Sequence, residues 1–121
     1  MKKLLLSLCL ALFLAVPAMA AIDSSEVQSH IGEQQTVCGT VAQVAYLRKG
    51  IAINMGNRYP YQHINGFIWN SNALSVGRGI ASGLNSYDEL IGKNICISGQ
   101  IVLYKGRPEI IINTPGQISV K

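Results

Sequence analysis

Side chains with the chemistry for catalysis are few in this sequence, and they are scattered. A reaction centre needs a nucleophile, acid or metal held beside an activating group. The chain has no GxSxG elbow, no HExxH, no CxxC and no glycine loop running into Lys-Ser or Lys-Thr. Asp88 and Glu89 are neighbours that diverge on a helical turn, and His30 and His63 read as ordinary polar residues. The expectation is therefore a non-catalytic protein with no cofactor and no metal. What remains is cations and aromatic rings. Arg48-Lys49-Gly50 and Lys105-Gly106-Arg107 each put cations into a turn, with Asn54 and Arg58 between them. Tyr46, Tyr59, Tyr61, Phe67, Trp69 and Tyr104 supply planar rings. Single-stranded nucleic acid asks for this combination, cations along its phosphates and rings against its bases. The bland alternatives are cations that are merely solvated and a Tyr59-Pro60 pair that packs its own loop.

The elements that must position these residues read mostly as strands. Thr36 to Leu47 is rich in β-branched and aromatic residues, and it carries Gly39 where a long strand would bend. Ile51 to Met55 follows a turn as a second strand. Gly56 to Pro60 is a turn-rich loop. Ile64 to Asn70 is a third strand, with Asn65, Phe67 and Trp69 on one face and Ile64, Gly66 and Ile68 on the other. Alternation alone leaves open which face is core. Residues 71 to 86 are poor in charge, and a stretch of that length predicts either a short helix at Asn72 to Val76 or a mobile loop. Ser86 caps a helical turn ending at Gly92. Lys93 to Tyr104 alternates again, with Ile95, Ile97, Gly99, Ile101 and Leu103 on one side. Glu109 to Asn113 is the fifth strand, with Gly116 to Val120 as an extension. Asp23 to Ile31 reads as a short helix capped by Asp23 or Ser24.

Lys2 and Lys3, the apolar run Leu4 to Val16 and the small residues Ala18 and Ala20 have the order of an export signal, with cleavage expected after Ala20. Residues 21 to 121 then make one domain in the periplasm or outside the cell. The ten basic residues become eight against six acidic ones, so the formal charge drops from +4 to +2. That balance permits a polyanion partner without demanding one. Cys38 and Cys96 remain, and an oxidising compartment makes a disulfide the default reading. A metal pair with a histidine, or two buried thiols, are the alternatives.

Five strands, a long bent first strand and a helical connection between the third and fourth give the strand count and order of an OB-fold, a five-stranded Greek-key barrel with minor helix content. A small β-sandwich is the competitor. In the barrel the first and fourth strands are antiparallel, and Cys38 and Cys96 then sit opposite the apolar faces of those strands, so a bridge between them is geometrically reasonable. The segments Val37 to Val41, Gly56 to Pro60, Leu90 to Ile101 and Tyr104 to Ile110 resemble bacterial OB-fold domains of the anticodon-binding type. The resemblance implies a ligand face on the second and third strands, flanked by the two cationic turns. On that basis Tyr46, Arg48, Lys49, Asn54, Arg58, Tyr59, Tyr61, Trp69, Tyr104, Lys105 and Arg107 are the candidate ligand contacts. The ligand it implies is single-stranded nucleic acid or a nucleotide. An oligosaccharide or other envelope ligand, or an envelope protein, is the alternative.

Overall fold

The computed structural model describes residues 20–80 and 83–121. The expected export signal, residues 1 to 20, lies outside these residues except for Ala20. The chain is predominantly β. Its strands are β1 (Ile22–Asp23), β2 (Gln34–Tyr46), β3 (Gly50–Met55), β4 (Ile64–Trp69), β5 (Asn94–Gln100), β6 (Val102–Tyr104), β7 (Arg107–Ile111) and β8 (Ile118–Val120). They form one sheet in the order β6-β7-β4-β3-β2-β5-β8, with β1 parallel to β2. Pairing is antiparallel along this path except for β4 with β7. Among the described residues no helix is long and apolar enough to cross a membrane.

The sheet curls because β2 serves two partners in succession. Gln34 to Thr40 pair with β5, and Val41 to Tyr46 pair with β3, with a register shift between Val41 and Gln43. Gly39 sits just before this switch, facing inward with Val37 and Val41. A Cβ there would lie 2.6 Å from Ser24 Oγ, so the missing side chain is what lets Ser24 pack beneath the bend. Ser24 is buried and shares a 2.9 Å hydrogen bond with His63 Nδ1, which ties the N-terminal segment to the start of β4. The concave side is filled by Val37, Ile53, Met55, Ile64, Ile68, Ile95, Ile97, Ile110 and Ile112, all fully buried. Each contributes roughly 1.5–3 kcal/mol by leaving water.

The cysteines meet as their places in the alternation require. Cys38 is the register partner of Cys96, and a disulfide joins them between β2 and β5. Their neighbours along the same outer side also pair across the strands, Thr36 with Ser98 at 2.8 Å and Thr40 with Asn94 at 2.8 Å.

The expected helical segments are present, and a further 3₁₀ turn, Pro115–Gln117, overlaps the start of the strand extension expected at Gly116 to Val120. A 3₁₀ segment, Ser24–His30, is capped by the Asp23 carboxylate. The connection after β4 opens with a helix, α1 (Asn70–Gly79), longer than the Asn72 to Val76 turn read from sequence. Its Val76, with Ile80 just beyond it, is fully buried, and the Tyr87 hydroxyl donates to Ala73 O at 2.5 Å, fastening α1 to the next turn. That turn, Tyr87–Leu90, carries a capping box between Ser86 and Glu89.

Eight strands appear where the sequence reading has five. β1 and β8 are short additions at the edges. The fourth expected strand is divided at Ile101, whose N–H donates to Glu33 O and whose carbonyl accepts from Gly32 N, so it leaves the ladder. The break ends the alternation as well. Leu103, expected on the apolar face with Ile101, is exposed.

Candidate ligand groove

The outer surface of the β2, β3, β4 and β7 strands carries a groove of about 900 Å³. Strand register organises its floor. Gln43 is opposite Asn54, Asn54 opposite Asn65, and Asn65 opposite Glu109, so a polar row crosses four strands. Two residues along, Ala45, Ala52, Phe67 and Ile111 form an apolar row by the same register. Leu47 and Trp69 extend this apolar end toward the β2–β3 turn. The two alanines leave depth that larger side chains would fill.

Phe67 is held by what lies beneath it. A Cβ on Gly50 would come within 2.5 Å of Phe67 Cζ, so the ring sits over bare backbone. Trp69 meets Phe67 edge to face, centroids 4.9 Å apart, and is 43% exposed. The face shared by Asn65, Phe67 and Trp69 is thus the groove side, and Ile64, Gly66 and Ile68 face the core.

The rim is cationic. Arg48 and Lys49 come from the turn between β2 and β3, and Lys105 and Arg107 from the β6–β7 hairpin. Lys105 has φ 52° and Gly106 φ 78°, the pair of positive values that a type I′ two-residue turn requires. The Lys105 ammonium lies 5.4 Å from the Tyr104 ring centroid, and the Arg107 guanidinium 4.8 Å from that of Tyr59. Tyr59 is fixed through its backbone, since its N–H donates to Gln43 Oε1 at 2.9 Å. The same oxygen accepts from Asn54 Nδ2 at 3.0 Å.

Glu109 is 7% exposed on the groove floor. Its Oε2 accepts from Asn65 Nδ2 at 3.3 Å, and no cation pairs with it among the described residues. Burial pushes its carboxyl above the ordinary glutamate range, and the Asn65 hydrogen bond only partly opposes this. Gln62 Oε1, another groove acceptor, is buried without a partner.

Of the residues singled out from sequence, Arg48, Lys49, Asn54, Tyr59, Trp69, Tyr104, Lys105 and Arg107 all line this groove. Tyr46, Arg58 and Tyr61 do not. Tyr46 points to the opposite side of β2, where its hydroxyl lies 3.3 Å from both Ser86 Oγ and Asp88 Oδ1. Arg58 and Tyr61 belong to an exposed turn closed by the Tyr61 N–H on Arg58 O. The alternation already separates Tyr46 from Gln43, Ala45 and Leu47. Sequence reasoning finds Asn54 but misses its row partners Gln43, Asn65 and Glu109, and Gln62, although Arg107, Glu109 and Ile111 alternate legibly once β7 is started at Arg107.

No sequence-family model matches the chain, and no curated protein matches it. Solved structures do match in shape. OBody AM1L10, bound to hen egg-white lysozyme, superposes with a TM-score of 0.52 at 16% identity, covering 88% of this chain and 98% of that one. OBody AM2EP06, also bound to hen egg-white lysozyme, gives 0.51 at 14% identity over 88% and 96%. A putative aspartyl-tRNA synthetase from Leishmania major Friedlin gives 0.50 at 7% identity, with 88% of this chain on 21% of that one. At such identities the likeness concerns the fold alone, which is OB-like.

Proposed function

We propose that the chain is an exported, non-catalytic binding module whose groove takes single-stranded nucleic acid or a nucleotide. The observation that carries this reading is the convergence of Arg48, Lys49, Lys105 and Arg107 from separate hairpins on one groove that also presents Tyr59, Trp69 and Tyr104. Cations at the rim suit phosphates, and exposed rings beside an apolar floor suit stacked bases.

We also read β5 and β6 as one strand bent at Ile101, which completes a five-stranded barrel: β2, β3, β4, β7 and the joined strand. Two observations support that reading. β6 follows β5 after a single residue. Gln117 Nε2 donates to Ser98 O and to Ile111 O, both at 2.9 Å, and so links β5 to β7 where no ladder does.

A protein ligand is the second reading. It is favoured by the exposed Leu47, Leu103 and Tyr104 around the hairpin tips, and the OBody structures are of OB-like chains bound to a protein. Salt separates the two. Affinity for an oligothymidylate should fall steeply with salt, and Arg48→Ala with Lys105→Ala should flatten the log–log slope by roughly 0.7 for each phosphate that the two cations neutralise in the wild type. An unchanged slope rejects the cationic rim as a phosphate site.

A further inference from the structure

The floor of the groove is chemically uneven, and the unevenness falls on one residue. Glu109 sits at the end of the polar row, buried, with Oε2 engaged by Asn65 and no protein donor on Oε1 among the described residues. Gln62 Oε1 is a second acceptor in the same groove with no partner. Glu109 Oε1 stays open to the groove and to a donor, while Gln62 Oε1 is buried, and such an acceptor costs stability unless a ligand donor satisfies it. A phosphate cannot do so, because it is itself an acceptor. The group that reaches this end of the groove must bring N–H or O–H donors, while its anionic part stays at the rim.

We propose that Glu109 is the base-selecting residue of the groove, its carboxylate accepting the paired N–H donors of a guanine edge. The inference rests on the nucleic-acid reading above. An ionised carboxylate offers acceptors only. Of the common bases, guanine alone places two donors side by side, its ring N1–H and exocyclic N2–H. Cytosine and adenine set one amino donor beside a ring acceptor, and thymine sets one N–H between two carbonyls, so each turns a lone pair toward the carboxylate. A protonated carboxyl offers a donor beside an acceptor, a pattern that cytosine, adenine, thymine and the O6/N1–H pair of guanine can all match. Selection therefore changes with the protonation of Glu109. The other titratable groups in the groove are Arg48 and Lys49 of the β2–β3 turn, Tyr59 of the following loop, Tyr104 of β6, Lys105 of the hairpin and Arg107 of β7. β2, β3 and β4 face it with neutral side chains, Gln43, Asn54 and Asn65. Burial holds Glu109 above the ordinary glutamate range.

The test uses the chain without its leader and pentathymidylates carrying guanine, cytosine, adenine or thymine at the centre, with binding read by fluorescence anisotropy at about pH 8 and pH 5.5. The wild type should prefer guanine over thymine by at least about fivefold at the higher pH, the lower end for a bidentate base contact, and less at the lower pH. Glu109→Gln fixes one acceptor beside one donor, so the guanine preference should be lost and selection should stop depending on pH. Equal affinities at the higher pH, or a guanine preference that survives Glu109→Gln, would overturn the assignment while leaving nucleic-acid binding intact. If none of the oligonucleotides binds, the nucleic-acid reading fails and this one with it. Should Glu109→Gln not melt cooperatively, the wild-type pH series decides, and a guanine preference that does not decline in acid rejects the assignment.

Discussion

The Arg107 guanidinium lies over the Tyr59 ring, 4.8 Å from its centroid, and so joins the β7 wall of the groove to the loop that follows β3. Tyr59 is 59% exposed, and its ring is therefore open to a second stacking partner. A contact this exposed is worth only about 0.5–1 kcal/mol to the fold. Stacking a base on the same ring is worth about 1–3 kcal/mol. Tyr59→Ala is expected to lower single-strand affinity by that larger amount while the melting temperature moves by only a few degrees. Anisotropy and thermal melts on one preparation check this, and a variant that loses stability but keeps affinity would make Tyr59 a packing residue.

The turn that carries Lys105 holds a non-glycine residue at positive φ. Such a residue costs of the order of 1 kcal/mol, and the first central position of a type I′ turn favours Asn, Asp or Gly. Lys105→Gly is expected to raise stability by up to about 1 kcal/mol in urea unfolding. It should also weaken oligonucleotide binding and its salt dependence. A substitution that stabilises without touching affinity would assign this cation to solvent.

The disulfide closes a loop with a sequence separation of 58. In the chain-entropy account that constraint is worth about 4 kcal/mol. Cys38→Ala with Cys96→Ala should lower urea-unfolding stability by up to that amount. Binding should be spared, because neither cysteine lines the groove. Thiol titration of residues 21 to 121 under denaturing, non-reducing conditions should find no free thiol.

Glu109 also sets a direction for pH and stability. Its folded-state pKa is raised, chiefly by burial. The folded chain therefore holds its proton at pH values where the unfolded chain has lost it. Stability falls as pH rises from the ordinary glutamate value through the raised one, and it stays lower above that. Glu109→Gln should remove this part of the pH dependence and leave the variant relatively more stable at neutral pH. Urea unfolding at a series of pH values reads it. A wild-type curve parallel to that of the variant would show that burial does not penalise the charge. Glu89 acts oppositely, since the N–H groups of Ser86 and Asn85 hold its carboxyl below the usual range, and its contribution fades in acid.

Much of this arrangement is legible along the chain because it is periodic. Alternation places Cys38 against Val37 and Cys96 between Ile95 and Ile97, which is enough to put the sulfurs on the outer side of adjacent strands. It also puts Asn65, Phe67 and Trp69 on one face, but it does not say which face is core. Trp69 and Phe67 are apolar enough for either, and the choice falls to Ile64 and Ile68, which fill the interior with Gly66 between them. The turn chemistry of Ser86 with Glu89 is local and so is readable. What sequence does not give is contact between residues far apart that no period links. Ile101 leaves its strand because Gly32 and Glu33 offer it partners. Tyr46 has the ring expected of a ligand contact, yet its place in the alternation sends it toward Asp88.

Gln117 is the sharpest case of a residue whose role is invisible until the chain is folded. Its carboxamide is fully engaged: Oε1 accepts from Asn113 N at 2.8 Å and Thr114 N at 3.1 Å, and Nε2 donates to Ser98 O and Ile111 O. One side chain thus supplies donors to carbonyls on β5 and β7 that have no ladder between them. Gln117→Glu keeps the shape and the first pair of bonds, but it turns an ionised oxygen toward both carbonyls. A polar group left unsatisfied in this way costs about 1–3 kcal/mol, and like-signed partial charges add to it. The variant should lose roughly 2–4 kcal/mol at neutral pH. Protonation of the introduced carboxyl returns one donor, while the Asn113 and Thr114 N–H groups on its other oxygen favour the charged form. Gln117→Leu, with neither donor nor acceptor, should show a deficit independent of pH. Urea unfolding of the three proteins at neutral and mildly acidic pH separates these outcomes. If Gln117→Glu is as stable as the wild type at neutral pH, the amide does not hold the β5 and β7 strands together, and the barrel reading loses that support.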